Sequence, residues 1–391
     1  MQDQRLMIPG PTPVPQSVLQ AMARPMMNHR SKAFAEILED CTAGAGWMFQ
    51  TRNDVYILTT SGTGGLEAAA VNVLSPGDRV LALVAGVFGK RWADICQAYG
   101  ADVERVEWPL GEAYDVERVT EALAKGPYRV VLMTHNETST TVLNPIARIA
   151  ALVRRELPDA LILVDSVSGL GTADLPVDAL DLDIVVAGSQ KAFMLPPGLA
   201  YLAVSPRAWE AIGKAKAPRF YFDLVRARDF KAKGQTPWTP SISVFYAMRE
   251  ALRHLRAEGL AAIFARHERL AMGLRAGVRA LGLELLVKDD AIASRAVTGV
   301  WPPGGVAAND FRKVMQDRFG IVLANGQGPV QDKIFRIGHL GHVGELDITG
   351  CLSALEIALV GLGAKIELGT SVAAAQAEFI RAAAPAPVAA R

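Results

Sequence analysis

Cysteine is rare in this chain, and its spacing excludes several kinds of site. The 391 residues contain three cysteines, Cys41, Cys96 and Cys351, with no C-x-x-C pair. Such isolated cysteines exclude a cysteine-built zinc or iron–sulfur site within the chain, and they do not suggest a disulfide framework. A hydrogenase or other metalloenzyme subunit would have to bind its metal with these three residues, so we do not favour that interpretation.

An excess of one charge, aromatic clusters and long apolar runs are also missing. The chain has 41 lysines and arginines against 40 aspartates and glutamates, 7% aromatic residues and a formal net charge of +1. This composition provides no basic surface for nucleic acid. No apolar run reaches the ~18 residues of a membrane-spanning helix. The start, MQDQRLMIPGPTP, lacks a signal-peptide pattern, and the end, AAR, is not the peroxisomal S-K-L. We therefore expect a cytoplasmic protein without nucleic-acid or membrane partners.

Hydrophobic residues are plentiful, at 50% of the chain, which is enough for a large core. From about residue 55 to 250, short apolar runs alternate with amphipathic segments. The runs VYILTT, RVLALV, RVVLMTH, ALILVDS, DIVVAGS and AYLAVS predict strands, and LEAAAVNVL, KRWADICQAYG and IARIAALVRREL predict helices. Apolar strands that alternate with helices are typical of a mostly parallel sheet covered on both faces. The predicted fold class is α/β.

The pattern divides the chain into four parts. Residues 1–16 form a proline-rich arm, which is unsuited to a helix or a central strand. Residues 17–250 form the large α/β domain, and residues 251–366 form a smaller α+β domain with two long amphipathic helices. Residues 367–391 form an Ala/Pro-rich tail that is predicted to be partly disordered.

The stretch SGTGG, residues 61–65, lies between a predicted strand and a predicted helix. Glycines permit a tight turn, and free N–H groups at the start of a helix bind anions such as phosphate. The stretch is not a dinucleotide fingerprint, because Glu67 occupies the position of the third glycine, and it has no G-K-[ST] of a Walker loop. A small phosphate cradle and an ordinary strand–helix turn both remain open on this stretch alone.

Two charged residues lie at the ends of successive apolar strands. Asp165 ends the run LILVD, at the edge of an open α/β sheet where ligands bind. Lys191 follows DIVVAGSQ and precedes the rigid turn LPPG. A lysine in dry surroundings loses proton affinity and becomes a nucleophile that can form a Schiff base. A phosphate cradle, a strand-end aspartate and a desolvated lysine are the anchor, ring-nitrogen partner and amine that pyridoxal 5'-phosphate requires.

These motifs resemble those of class V aminotransferases, which are fold-type I pyridoxal-phosphate enzymes, in the alanine–glyoxylate and serine–glyoxylate (or pyruvate) branch. The resemblance covers nearly the whole chain, through MIPGPTPVP, NHRSKAF, SGTGGLEAA, LSPGD, THNETSTTVLNP, VDSVSGLG, GSQKAFMLPPG and FRIGHLG. It implies a large domain with a mostly parallel sheet and a smaller C-terminal α+β domain, in agreement with the pattern above.

The resemblance also implies roles for individual residues. Lys191 corresponds to the lysine of the internal aldimine, Asp165 to the partner of the pyridinium nitrogen, and Arg336 to the arginine that binds the substrate carboxylate. The other implied cofactor contacts are Ser61, Gly62, Thr63 and Gln190 at the phosphate, Phe88 and Val167 at the ring faces, Thr138 beside the cofactor, and Thr239 from a neighbouring subunit. Thr239 implies a homodimer with active sites at the subunit interface. Two positions differ from the common pattern, since many members have tryptophan at Phe88 and glycine at Thr141.

The histidines carry weaker signals. His339 and His342, in HLGH, have no acidic or cysteine partner at ligand spacing, so we expect them to pack in the structure and we predict no metal site. The role of His29, in NHRS, stays open.

The sequence thus predicts a homodimeric, pyridoxal-phosphate-dependent transaminase that moves the amino group of alanine or serine to glyoxylate, or to pyruvate, in a ping-pong cycle. One carboxylate-binding arginine, without a second basic residue dedicated to a side-chain carboxylate, favours small uncharged donors. An aminoethylphosphonate–pyruvate-type transaminase stays open as an alternative. A cysteine desulfurase-like enzyme is less favoured, because GIVLANGQGPVQDK contains no cysteine. A cofactor-free binding protein would have little use for Lys191 and Asp165 together.

Overall fold

The structure, a computed structural model, describes residues 4–383. Its helices are α1 (Gln16–Met22), α2 (Lys32–Phe49), α3 (Gly62–Val73), α4 (Val87–Ala98), α5 (Val116–Leu123), α6 (Ile146–Glu156), α7 (Pro206–Ile212), α8 (Leu224–Lys231), α9 (Ile242–Glu258), α10 (Leu260–Ala280), α11 (Ala308–Phe319), α12 (Glu345–Gly361) and α13 (Thr370–Ala383). Its strands are β1 (Arg5–Met7), β2 (Asp54–Thr59), β3 (Arg79–Val84), β4 (Asp102–Glu107), β5 (Val130–Thr134), β6 (Asn136–Glu137), β7 (Val142–Leu143), β8 (Leu161–Asp165), β9 (Ile184–Gly188), β10 (Leu199–Val204), β11 (Val297–Val300), β12 (Ile321–Asn325) and β13 (Phe335–Gly338).

The large sheet has seven strands in the order β2-β10-β9-β8-β5-β3-β4. Strand β10 runs antiparallel to both of its neighbours, and the other pairs are parallel. The central strands are buried because α2, α5, α6 and α9 cover one face while α3, α4, α7 and α8 cover the other. The predicted α/β class with a mostly parallel sheet is confirmed, and each predicted strand agrees with the structure to within one residue at each end.

One edge of this sheet was not predicted from the sequence. Strand β4, DVERVE, lies at the end of the sheet and contains four charged residues and two valines. An edge strand that is partly exposed to water carries charged residues that protect it from further pairing, so it lacks the continuous apolar run of the central strands.

The smaller sheet has the strand order β1-β12-β13-β11, and helices α10 to α13 contribute to its core. Strand β1 belongs to the proline-rich arm and pairs in parallel with β12, with Arg5 opposite Ile321. The arm therefore supplies an edge strand, a position that a proline-rich segment tolerates. Beyond Met7 the arm leaves this sheet and crosses to the large domain.

The borders of the two domains follow the helices. The predicted border at residue 250 falls inside α9, whose side chains as far as Leu255 pack in the core of the large domain. We propose that the small domain begins after this helix. No helix within residues 4–383 combines the length and the apolar character that crossing a membrane requires.

The predicted tail, 367–391, contains helix α13, which packs on α10. The Phe379 ring fills the space beside Gly273, where a Cβ atom would collide with it. Ala375 and Phe379 are buried in the small-domain core. Alanine-rich sequence is a strong helix former, so one apolar face is enough to fix this segment. The Pro-rich end, 384–391, lies outside the described residues.

The packing of α13 can be tested by truncating Phe379. We expect Phe379→Ala to lower the free energy of unfolding by about 3 kcal/mol, because a buried aromatic ring leaves a cavity. Ile380, next to it, is 73% exposed, and Ile380→Ala should change stability by less than about 0.5 kcal/mol. Urea denaturation followed by tryptophan fluorescence measures both values. Equal losses in the two variants would show that α13 is not docked through Phe379.

Candidate active site

The glycine-rich stretch forms the first turn of α3 and is not a loop before it. Ser61 is the N-cap residue, and its hydroxyl accepts a hydrogen bond from the N–H of Gly64 at 3.4 Å. Within the described chain, the N–H groups of Gly62 and Thr63 have no hydrogen-bond acceptor. The exposed end of α3 therefore presents free donors at its positive pole, the arrangement that binds phosphate in proteins.

Asp165 is the last residue of β8 and is buried. Its Oδ1 accepts a hydrogen bond from the N–H of Val167 at 2.9 Å, and Oδ2 has no hydrogen-bond partner among residues 4–383. Burial raises the pKa of Asp165 to about 7, although the N–H of Val167 and the positive charge of Lys191 oppose the shift. A cationic N–H partner at Oδ2 would restore the ionised form.

Lys191 lies in the turn that follows β9, the parallel neighbour of β8, and is partly buried. Burial lowers the pKa of Lys191 to about 8, the negative charge of Asp165 opposes this effect, and the positive charge of Arg336 adds to it. The order of the strands therefore brings the strand-end aspartate and lysine into one electrostatic group, as the motifs predicted. A pKa near neutrality leaves a substantial part of the amine unprotonated and nucleophilic.

The N-terminal arm closes one side of this lysine. Lys191 Nζ donates a hydrogen bond to the carbonyl of Pro9 at 2.5 Å, and the Thr12 hydroxyl donates to the carbonyl of Lys191 at 3.1 Å. Gly10 has a φ of +132°, and a Cβ atom on it would lie 2.5 Å from Nζ. Only glycine satisfies both the backbone conformation and the close approach at this position.

Phe88 and Arg91 connect the starts of α3 and α4. The guanidinium of Arg91 lies 4.7 Å from the centre of the Phe88 ring and donates to the Thr63 hydroxyl at 3.3 Å. The side chain of Val167 lies 3.0 Å from the position that a Cβ atom on Gly62 would take. The predicted phosphate and ring-face residues are therefore neighbours.

Arg336 reaches this group from the small domain. It is buried in β13, its Nε donates to the carbonyl of Asn325 at 2.7 Å, and its Nη1 donates to the carbonyl of Thr138 at 2.6 Å. Burial lowers the pKa of Arg336 to about 10, and the negative charge of Glu137 opposes the shift. Nη2 has no hydrogen-bond partner in the described part of the chain. The guanidinium is thus held by two carbonyls and keeps donors for an anion.

Thr239 is the predicted site residue that this chain does not bring to the group. It is exposed beside Trp238, which stacks on Tyr221 with ring centres 5.8 Å apart. The hydroxyl of Tyr221 donates to the carbonyl of Thr59, near the start of α3. Thr239 therefore lies at the surface near the phosphate cradle.

Three features of the site were missed by the sequence analysis. The buried carboxylate of Glu137 accepts hydrogen bonds at the start of α4. Arg91 bonds to Thr63, and the Pro9 carbonyl contacts Lys191. Arg91 could have been identified, since it follows Phe88 by one helical turn. The other two depend on contacts between segments far apart in the chain.

Thr141 has a backbone conformation that glycine adopts more readily than other residues. Thr141 is buried and has a φ of +59°, which costs a side-chain-bearing residue on the order of 1 kcal/mol. The loop therefore keeps its left-handed turn although Thr141 replaces the common glycine.

His339 and His342 lie in different surroundings. His339 is buried, its Nε2 lies 3.0 Å from the Thr298 hydroxyl, and burial lowers its pKa well below the usual value. His342 is exposed. In residues 4–383 no group of three or more His, Cys, Asp or Glu side chains has the arrangement of a metal site.

These residues fit pyridoxal 5'-phosphate. The free N–H groups at α3 suit its phosphate, the unpaired Oδ2 of Asp165 suits a protonated ring nitrogen, and the Lys191 amine suits its aldehyde. The Gln190 Oε1 atom is buried and without a partner among the described residues, so this side of the cradle also has an unused polar group.

The fold and the site together define a fold-type I pyridoxal-phosphate-dependent aminotransferase. The family described as Aminotransferase class-V matches residues 6–338, and the chain belongs to this family. The crystal structure of ureidoglycine-glyoxylate aminotransferase from Bacillus subtilis is similar, with a TM-score of 0.91 and 32% identity over 97% of this chain and 99% of that one.

Curated relatives include several glyoxylate aminotransferases. The L-aspartate–glyoxylate aminotransferase of Paracoccus denitrificans is 39% identical over 96% of both chains. The serine–glyoxylate aminotransferase of Hyphomicrobium methylovorum is 37% identical, over 96% of this chain and 94% of the relative. A protein named soluble hydrogenase, small subunit, from Synechococcus sp. (strain PCC 6716) is 47% identical, over 96% of this chain and 98% of the relative.

The alternative enzymes are not favoured by these findings. A desulfurase requires a reactive cysteine, but Cys41, Cys96 and Cys351 are all buried, and burial raises the pKa of each thiol to about 12. The two aminotransferases named above have glyoxylate in their names, and neither is named as a phosphonate-specific enzyme.

The lowered pKa of Lys191 predicts its reactivity. In cofactor-free protein, acetylation of Lys191 should reach half of its maximum rate near pH 8, whereas an ordinary lysine requires a pH of about 10.4. Because Asp165 raises this pKa, Asp165→Asn should move the midpoint to lower pH. Peptide mass spectrometry resolves Lys191 from the exposed Lys288, which serves as an internal comparison. A Lys191 midpoint near pH 10 would contradict the burial argument.

Proposed function

We propose that this enzyme binds pyridoxal 5'-phosphate through Lys191 and moves the amino group of alanine or serine to glyoxylate, with pyruvate as a second acceptor. The observation that carries the proposal is the Lys191 amine. It lies at the carboxyl edge of the large sheet, where burial lowers its pKa to about 8, beside a buried aspartate and a buried arginine. This amine would hold the cofactor at its aldehyde.

The remaining residues hold and activate the cofactor. When bound, pyridoxal phosphate supplies an electron sink for the pair of electrons that a substrate Cα–H bond leaves behind. Asp165 keeps the ring nitrogen protonated through Oδ2, and such a charge-assisted hydrogen bond is worth about 1.5–3 kcal/mol. Ser61, Gly62 and Thr63 bind the phosphate, and Phe88 and Val167 pack on the ring.

Lys191 would also act as the base. With the cofactor and an amino acid bound, its Nζ would be the group that accepts the proton of the substrate Cα. A general base works best when its pKa lies near the working pH, and a pKa of about 8 meets that requirement. The hydrogen bond from Nζ to the carbonyl of Pro9 supports a role for the arm in positioning the amine.

Arg336 binds the substrate α-carboxylate. The two carbonyls that hold Nε and Nη1 fix the plane of the guanidinium, and a fixed plane favours recognition of a carboxylate. The relatives from Paracoccus denitrificans and Hyphomicrobium methylovorum have glyoxylate in their names and differ in the amino donor, aspartate or serine. The acceptor is therefore better supported than the donor.

A single half-reaction tests this proposal. Purified protein loaded with pyridoxal phosphate is mixed with serine, alanine, aspartate or glutamate without an acceptor. We expect serine and alanine to lose their amino groups, which is measured by loss of the cofactor's visible absorbance and release of the 2-oxo acid.

Lys191→Ala should lower the rate of this half-reaction by at least about 10³-fold, because it loses both the covalent attachment and the base. Lys288→Ala, at an exposed lysine, is the matched control. Strong activity with glutamate and none with serine or alanine would reject the donor assignment. A colourless protein that borohydride does not change would reject the cofactor.

We further propose a homodimer in which Thr239 contacts the phosphate of the partner's cofactor. An aromatic surface beside Thr239, formed by Phe220, Tyr221 and Trp238, supports this arrangement. Phe220 is 70% exposed and stacks on Trp238 with ring centres 5.2 Å apart. Exposed aromatic clusters mark interaction surfaces, and this one adjoins the phosphate cradle through Tyr221 and Thr59. We also propose a cytoplasmic location, which suits three free cysteines.

The aromatic surface gives a prediction for assembly. We expect Phe220→Asp to weaken the dimer by at least about 10-fold, because a buried charge would replace a ring at the interface. Affinity for pyridoxal phosphate should fall with it, since Thr239 is withdrawn. Leu346→Asp, at a residue that is 85% exposed in the small domain, is the control. Sedimentation velocity measures the dimer, and an unchanged dimer in Phe220→Asp would place the interface elsewhere.

A further inference from the structure

Glu137 is a fully buried carboxylate whose two oxygens are both used as acceptors. Oε2 accepts hydrogen bonds from the N–H groups of Phe88 and Gly89, each at 3.1 Å. Oε1 accepts from the N–H and the hydroxyl of Ser139, at 3.1 and 2.6 Å. All four neighbouring groups donate, so the side chain acts here as an acceptor only.

These bonds complete the start of α4, the helix that carries Phe88. Its N-cap residue, Gly86, has no side chain, so the first N–H groups of the helix need acceptors from elsewhere. Glu137 serves Phe88 and Gly89, while the Ser139 hydroxyl accepts from the N–H of Val87 at 2.9 Å. A Cβ atom on Gly86 would lie 2.6 Å from Cγ of Glu137, which shows how closely the two segments approach.

The same short segment also holds the substrate arginine. Thr138, between Glu137 and Ser139, accepts the hydrogen bond from Nη1 of Arg336 at 2.6 Å. Residues 137–139 therefore contact the helix of Phe88 on one side and the guanidinium of Arg336 on the other. One segment connects a large-domain residue for the cofactor ring with a small-domain residue for the substrate.

Glu137 has no cationic side chain within ion-pair distance in the described residues. The positive end of α4 provides part of the compensating charge. Glu137 also acts on the site at longer range, because its charge raises the pKa of both Asp165 and Arg336. Burying a carboxylate costs free energy unless hydrogen bonds and nearby positive charge compensate for the lost water.

Building on the function proposed above, we propose that Glu137 is a positioning residue that fixes Phe88 and Arg336 relative to one another. Its carboxylate sets the start of α4 against the 137–139 segment, and that segment in turn fixes the Arg336 guanidinium. Glu137 has no direct contact with the substrate in this arrangement. Its loss should weaken cofactor binding through Phe88 and substrate binding through Arg336.

The isosteric change Glu137→Gln is the main test. A glutamine has one oxygen and one NH₂ group, so its NH₂ faces either the N–H groups of Phe88 and Gly89 or the N–H of Ser139, and at least one hydrogen bond is lost. We expect roughly 10- to 100-fold weaker binding of pyridoxal phosphate to the cofactor-free protein, and a raised KM for the amino donor. Titration by absorbance gives the dissociation constant.

Amide hydrogen exchange in cofactor-free protein provides a readout that does not depend on activity. Residues 87–92, at the start of α4, should exchange faster in Glu137→Gln than in the unmodified protein. Ser139→Ala removes a smaller part of the same arrangement and should give the same changes at about 3- to 10-fold. It serves as the test if Glu137→Gln does not fold.

Glu356 provides a matched control in the same chain. It is also buried, and it accepts hydrogen bonds from the N–H and hydroxyl of Ser371 and from the N–H of Gly369, at the start of α13. Glu356→Gln removes the same kind of interaction far from the site. We expect it to lower the thermal midpoint as Glu137→Gln does, while the dissociation constant and the KM stay unchanged.

The outcomes separate this inference from the proposed function. If the unmodified protein binds no pyridoxal phosphate, the proposed function fails. If it binds the cofactor and Glu137→Gln retains the same affinity, KM and exchange rates, the positioning role is wrong. A Glu137→Asp variant that regains full affinity would also overturn it, because aspartate keeps the charge but cannot reach both partners.

Discussion

The site depends on the burial of one amine between groups of opposite charge. Water stabilises an ammonium ion, so removing water from Lys191 lowers its pKa to about 8, and the carboxylate of Asp165 limits that shift. The positive charge of Arg336 lowers the pKa of Lys191 further. Asp165 is itself buried, with a pKa raised to about 7, so each group depends on the other for its charge. In the function proposed above, a cofactor with an aldehyde and a basic ring nitrogen would engage both groups at once.

The strand order explains how these groups meet. Strands β8 and β9 are parallel neighbours, so their carboxyl ends place Asp165 and the turn with Lys191 at one edge. The start of α3 lies near this edge, since Val167 contacts Gly62. The small domain supplies Arg336, and the N-terminal arm, which pairs with the sheet of that domain, reaches Lys191 through Pro9. The chemistry is therefore assembled between a rigid sheet and a second domain.

Much of this arrangement follows from sequence, because local patterns encode it. Apolar runs with turn residues identify the central strands, and the polar residues at their ends identify Asp165 and Lys191. Three other features depend on distant segments. The carboxylate of Glu137 acts on a helix some fifty residues away in the chain, the arm packs on Lys191, and α13 docks through Phe379. Edge strand β4 was not predicted because its four charged residues make it resemble a surface loop. The roles that the family resemblance implies for individual residues remain proposals. The structure brings Asp165, Lys191 and Arg336 together, whereas Thr239 lies at the surface.

The number of residues between strand β1 and Pro9 is fixed by the contacts at both ends. Met7 ends β1, which is fixed by its pairing with β12, and Pro9 contacts Lys191 only two residues later. A link this short cannot gain or lose a residue without moving one of its two ends. We expect that deletion or insertion of one residue between them would pull either the strand or the carbonyl out of place. Variation in length should therefore be tolerated in surface loops and absent from this link, whatever its side chains are.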